Sequence, residues 1–299
     1  MRAALLLSSA LLLFGSSAQA FVRARVPTAT SQDPGPYLYW AHPRVPMHFN
    51  QLGSRDAGQL EALAATRASY AAWNEVECSD FELVHAGTTA KNEAGFDPMG
   101  DSDTNLIVWR EVACEEVVPP GDSCFVNGGC NNKYDCWDES PWVAGVTTIT
   151  FSFRTGEILD ADIELNGAGF VFTTVDSPEC LPGRPIPRPA SCVATDVQNT
   201  LTHELGHVVG LADVYDDPDA TLYWQAKTGE ASKRTLGQDD IDGLCALYPP
   251  GSGSTPLVAG SPEERARGCA CGGSGAPLAA LLMLPLALGL VRRRRAAWA

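Results

Sequence analysis

THELGHVVGLADVYDD, residues 202–217, carries two histidines four apart, a glutamate beside the first, a glycine at 210 and an aspartate at 213. Together with the residues before it, the stretch from Thr195 to Val209 predicts a helix, with Thr195 and Gln198 as a capping box and Gly210 as its stop. On that helix His203 and His207 project from one face, one turn apart, at a separation that lets two imidazoles share a zinc ion. Glu204 stands beside the first histidine without being a ligand, where its carboxylate can take a proton from a water at the metal and return it to a leaving amine. Gly210 allows the chain to leave the helix in a left-handed conformation and double back, so that Asp213 supplies a third ligand. Aspartate is a good zinc ligand, although an anionic donor makes the metal a weaker Lewis acid than a third histidine would. The competing reading is a buried helix whose histidines only satisfy hydrogen bonds. It is disfavoured because two of the chain's five histidines fall in this motif with glutamate, glycine and aspartate at the added positions.

The segments around this helix predict a mixture of strands and helices. VPMHFN at 45–50 and DTNLIVW at 103–109 read as strands. VTTITFSF at 146–153 and ILDADIELN at 158–166 alternate in polarity and are joined by Arg-Thr-Gly-Glu, which predicts a hairpin. DAGQLEALAATRASYAAW, from Asp56 to about Trp73, predicts a helix whose inner face holds Leu60, Leu63, Ala64, Tyr70 and Ala71. A last short helix, QDDIDGLCALY at 238–248, presents Ile241, Leu244, Cys245 and Tyr248 on one side, with Thr235 and Gln238 as its expected box.

The two ends have a different character. Residues 1–20 begin with Arg2, run through Leu and Ala, and end in Ala-Gln-Ala, the pattern of a signal peptide cut after Ala20. A Pro- and Thr-rich lead occupies 21–35. Residues 250–271, rich in Pro, Gly and Ser, form a linker with the Cys269 and Cys271 pair, and residues 272–299 form a tail. Gly272–Val291 is free of charge, long enough to span a bilayer, and followed at once by Arg292–Arg295, which marks its far end as cytoplasmic. Pro277 and Pro285 argue against a buried core helix there, and the position of the arginines argues against a nucleic-acid patch. The Gly-Cys pair, apolar span and arginine run resemble the MYXO-CTERM class of C-terminal sorting tags, which implies processing and display at the cell surface. Without residues 1–20 and 276–299 the chain keeps 16 basic against 36 acidic residues, a net charge of −20, which excludes nucleic acid as an expected partner.

Ten cysteines in an exported chain read as disulfides. Cys180 and Cys192 bracket a proline-rich loop that they can close. Cys114, Cys124, Cys130 and Cys136 can form two bridges within one insertion, in an order that spacing leaves open, and Cys78 then remains for Cys245.

HELGHVVGLAD resembles the extended HExxHxxGxxH/D signature of metzincin zinc proteases. From VPMHFN through the hairpin to QDDIDGLCALYP, the order over residues 36–249 resembles the catalytic domain of matrixins. The resemblance implies an α+β fold, a twisted mixed sheet packed on two long helices, with the active-site helix followed by a C-terminal subdomain carrying a short helix. It implies one catalytic zinc, a protein or peptide substrate, and an edge strand within VTTITFSF that pairs with the extended substrate. In ATLYW at 220–224 it places Leu222 where metzincins have the methionine of a turn beneath the metal, with Tyr223 following. The segment from Tyr223 to about Glu230 is then expected to wall the pocket for the substrate side chain after the cut. Asp160, Asp162 and Glu164 become candidate calcium ligands, the alternative being a solvated strand face. No structural zinc is expected, since no histidine stands near Leu159, and residues 21–40 hold no cysteine for a latency switch. A monomer is expected, its tail in the membrane. Two other functions compete: a zinc-containing surface binding module without catalysis, which would have no use for Glu204, and a gluzincin with Glu230 as third ligand, disfavoured because KTGEASK is loop-like.

Overall fold

The computed structural model describes residues 21–28, 34–97, 104–124, 129–251 and 294–298. The signal segment, the linker from 252 onward with Cys269 and Cys271, and Gly272–Val291 lie outside the described residues. Among the described residues no helix is long and apolar enough to cross a membrane.

In chain order the elements are β1 (Val22–Arg23), β2 (Arg44–Asn50), α1 (Gln59–Asn74), β3 (Glu82–Thr89), β4 (Leu106–Arg110), the single turn α2 (Cys114–Val117), β5 (Gly145–Phe151), β6 (Ile158–Asn166), β7 (Phe172–Thr173), β8 (Thr195–Asp196), α3 (Val197–Val209), β9 (Leu211–Ala212), α4 (Gln238–Leu247) and β10 (Arg294–Trp298). The main sheet is mixed, in the order β10-β5-β6-β4-β2-β3. β3, β2, β4 and β6 run parallel to their neighbours. β5 returns antiparallel to β6 as the expected hairpin, with Gly145 opposite Leu165 and Thr147 opposite Ile163. β10 lies antiparallel along the outer edge of β5, with Ala296 opposite Thr147.

α1 and α3 pack together on this sheet over one core. It joins Met47 and Phe49 of β2, Ile107 and Trp109 of β4 and Ile163 and Leu165 of β6 to Leu201, Leu205 and Val208 of α3. The buried face of α1 matches the expected one at Tyr70 and at Leu63, which packs against the core, and differs elsewhere. Ala62, Thr66, Ser69, Tyr70 and Trp73 face inward, whereas Leu60 is 72% exposed. Small residues let the two helices approach, and the Thr66 and Ser69 hydroxyls donate to Ala62 O and Ala65 O, so their burial leaves no donor unsatisfied. Trp73 Nε1 then donates to Thr202 O at 2.9 Å, tying α1 to the middle of α3.

Both helix starts differ from expectation. The N-cap of α3 is Asp196, which accepts from Asn199 N at 2.7 Å, and Thr195 lies in β8. The N-cap of α4 is Gly237, whose amide donates to the Asp240 carboxylate at 3.1 Å. Gly210 ends α3 at φ 107°, as expected, and bonds back to His207 O. Among the described residues four bridges join separate segments: Cys78–Cys245, Cys114–Cys136, Cys124–Cys130 and Cys180–Cys192.

The acidic strand is corrected too. Asp160, Asp162 and Glu164 are buried, not a solvated face, because the segment at Ala94–Gly95 and the cysteine-rich insertion cover β6. Glu164 pairs with Arg110 at 2.7 Å, and Arg110 also reaches Asp135 and Asn132 of the insertion. Asp162 accepts from Gly95 N and from Leu106 N, and burial with the adjoining Asp160 carboxylate pushes its pKa up.

Candidate metal centre and catalytic carboxylate

α3 and the reversal at Gly210 bring His203, His207 and Asp213 together. One nitrogen from each ring and one carboxylate oxygen lie within 4.8 Å of one another, the one such group among the described residues. Each imidazole is oriented from behind. His203 Nδ1 bonds to Thr221 O at 2.8 Å and His207 Nδ1 to Leu211 O at 3.1 Å, which assigns a proton to each Nδ1 and turns each Nε2 inward. The rings stand at 89° with centroids 5.0 Å apart.

The donor set fits a zinc ion. Both Nε2 atoms lie 3.5 Å from Asp213 Oδ1. That is long for a hydrogen bond but close to the roughly 3.3 Å between two ligands of a tetrahedral ion bound at about 2.0–2.1 Å. His207 Nε2 and Asp213 Oδ1 are buried without a hydrogen-bond partner among the described residues. Against the opposing effect of burial, the Asp213 carboxylate carries His207 up to about 9 and its own pKa falls below the usual carboxylate range, so a metal ion taken up at His207 Nε2 would displace a proton from that ring. Burial drives His203 down to about 3, which keeps its lone pair available.

Glu204 is not among the donors and lies against the start of β5. Its Oε2 accepts from Thr147 Oγ1 at 2.6 Å, and its Oε1 sits against the bare Cα of Gly145, where a Cβ would fall 2.7 Å away. Burial pushes its pKa up to about 7, against the opposing His207 charge and the Thr147 bond.

The turn after Asp213 is locked to the site. Val214 N donates to Leu222 O at 2.8 Å, and Trp224 N to Val214 O at 3.1 Å. Leu222 is 1% exposed and its methyls lie over Gly206. Asp240 was missed as a site residue. Its carboxylate accepts from Thr221 N at 2.6 Å and Leu222 N at 3.1 Å, so α4 holds the turn whose carbonyl orients His203. Lys233 was also missed: its ammonium donates to Tyr223 O and to Gln225 O, bracing the segment after the turn. Only Gly145 had a readable signal, a glycine opening an otherwise β-branched strand, which marks close backbone approach.

Other sequence candidates fall elsewhere. Glu230 accepts from Lys227 N and Ser232 Oγ and is not part of the donor group. Asp160, Asp162 and Glu164 do not form a comparable three-ligand group, since Glu164 is committed to Arg110.

No curated protein matches the chain. The family model described as Matrixin matches residues 40–249, from the strand pair flanking α1 through the end of α4, and it spans every residue of the donor group, Glu204 and the turn beneath them. By that match the chain belongs to the matrixin family of zinc metalloendopeptidases.

Proposed function

We propose that this chain is an exported, surface-held endopeptidase in which His203, His207 and Asp213 hold the catalytic zinc and Glu204 is the general base. The observation that carries the proposal is the convergence of three donors within 4.8 Å of one another, each Nε2 3.5 Å from Asp213 Oδ1, with the buried Glu204 carboxylate next in sequence to the first of them and outside the donor group. Zinc bound there supplies Lewis acidity toward the attacking water and the scissile carbonyl. Glu204 takes the proton of that water on the oxygen facing Gly145 and later returns it to the leaving amine, while Thr147 holds the other oxygen. Thr221, Leu211 and Asp240 keep the imidazoles and the turn in place through the cycle.

The outer edge of β5 is the expected substrate platform. An antiparallel segment can pair there, as Arg294–Trp298 does, and a substrate strand takes the same place by β-augmentation. A tail drawn into a membrane leaves this edge open, because Arg294 and Arg295 cannot occupy both positions. The test is replacement of Glu204 by Ala. Peptide cleavage should fall by at least about 10²- to 10⁴-fold with zinc content unchanged, the usual contribution of a general base. Zinc-loaded protein that cleaves no peptide in a broad library, or Glu204→Ala that matches wild type, would leave the reading of a non-catalytic surface binding module instead.

A further inference from the structure

β5 has a single edge to offer. Its other side is taken by β6 from Gly145 to Phe151, so one further strand can pair with it and a second cannot. In the structure that place is held by the chain's own β10, with Arg294 opposite Ile149, Ala296 opposite Thr147 and Trp298 opposite Gly145. Thr147 and Gly145 are the two residues of β5 that hold Glu204: the threonine hydroxyl donates to one carboxylate oxygen at 2.6 Å, and the bare glycine lies against the other. The backbone of residues 296–298 therefore runs along the stretch of β5 next to the proposed base. It runs antiparallel, and so offers its N–H and C=O groups to the edge in the manner of an extended peptide added to the sheet.

Two features favour this segment as the occupant over a peptide from solution. The first is charge. The exported body carries a net −20, whereas Arg292–Arg295 bring four positive charges to the start of β10, so the field of the domain draws the segment in. The second is covalent attachment. A tethered segment acts at an effective concentration on the order of 1 mM, at which even a short ladder of modest affinity stays occupied.

On the proteolytic reading, on which this inference rests, a substrate needs the same edge. We infer that Arg294–Trp298 is a built-in competitor: it holds the edge of β5 in cis and keeps the protease latent until the tail is drawn off or removed. Occupancy by the tail and by a substrate strand are mutually exclusive, because each uses the same row of β5 backbone groups. The donor group and Glu204 are left as they are, so the block acts on substrate entry and not on the chemical step.

The test compares the full-length zinc-loaded protein with a full-length variant carrying Ala296→Pro and Ala297→Pro. Alternate residues of an edge strand donate to its neighbour, so two successive prolines remove a ladder bond whichever of them faces β5, and all four arginines stay. With an effective concentration on the order of 1 mM and a segment that binds at about 0.1 mM, the open-edge fraction is lowered about tenfold. The variant's KM for a fluorogenic peptide should accordingly fall about tenfold, with kcat unchanged. Added peptide RRRRAAWA should raise the variant's KM again, and RRRRPPWA, of the same charge, should not. Equal KM in the two proteins, or equal inhibition by the two peptides, overturns the inference. So does a KM difference that grows with protein concentration, which would assign the strand to a second copy. Hydrogen exchange gives a readout free of activity: the amides of residues 145–149 that face β10 should exchange at least about tenfold faster in the variant. If neither protein cleaves any peptide, the proteolytic reading fails, and exchange alone then decides the occupant: faster exchange in the variant supports the tail on this edge, and equal exchange overturns it.

Discussion

Gly145 opens β5 against Glu204, and adding a single methyl group there tests how tightly the proposed base must be placed. A Cβ at this position would lie 2.7 Å from Glu204 Oε1 and 3.1 Å from both Cγ and Cδ. Ordinary contact begins at 3.4 Å, so the carboxylate must retreat by about 0.7 Å. It cannot do so freely, because Thr147, two residues along the same face of β5, holds the other oxygen at 2.6 Å. Misplacement of a reacting group by about 1 Å costs on the order of 10²-fold, so Gly145→Ala should lower kcat/KM by roughly 10- to 100-fold. The proposed zinc ligands are untouched and the glycine does not occupy a left-handed conformation, so metal content and urea midpoint should stay close to wild type. The assay is hydrolysis of a fluorogenic peptide, with zinc measured on the same preparation. A Gly145→Ala protein that holds full zinc and cleaves at the wild-type rate would refute the assignment of Glu204 as a base positioned by this strand.

Two further outcomes are expected. The bridges close loops of very different size, so in the chain-entropy account removing Cys78–Cys245, at a sequence separation of 167, should lower unfolding free energy by about 5 kcal/mol, whereas removing Cys124–Cys130, at a separation of 6, should lower it by about 2 kcal/mol. Urea titrations of the paired Ser variants check this, and the reverse ranking would contradict it. Deleting residues 268–299 should move the protein from the membrane fraction to the medium; identical fractionation of the two forms would remove the basis for a sorting tail.

The site helix was legible because each of its devices is local. Histidine spacing fixes the shared face, and Gly210 supplies the left-handed exit that brings Asp213 back. The β5–β6 hairpin was legible for the same reason, since alternation and a short turn settle its pairing. What the sequence did not disclose depends on contacts between distant segments. Leu60 belongs to the apolar pattern of α1, yet it lies outside the contact with α3, where Thr66, Ser69 and Trp73 are used instead. The alternating acids of β6 look solvated until the insertion and Gly95 close over them. Asp196 and Asp240 were overlooked as caps because each serves a second element as well, Asp196 holding Arg234 and Asp240 holding the turn at Thr221.

That turn also explains why leucine at 222 is compatible with an intact centre. The backbone performs the functional task there: Thr221 O fixes His203, and Leu222 O holds the strand bearing Asp213 through Val214 N. The side chain only fills space. A Cβ on Gly206 would meet Leu222 Cδ2 at 2.4 Å and Trp73 at 3.0 Å, so the absent side chain of Gly206 is the room that the leucine methyls occupy. Leucine and methionine differ little in volume and neither brings a polar group, so exchanging them in such a niche is among the mildest core substitutions, typically below about 1.5 kcal/mol. The donor geometry is then set by Gly206, Trp73 and Asp240 acting on the turn from three elements, and it does not depend on sulfur beneath the metal.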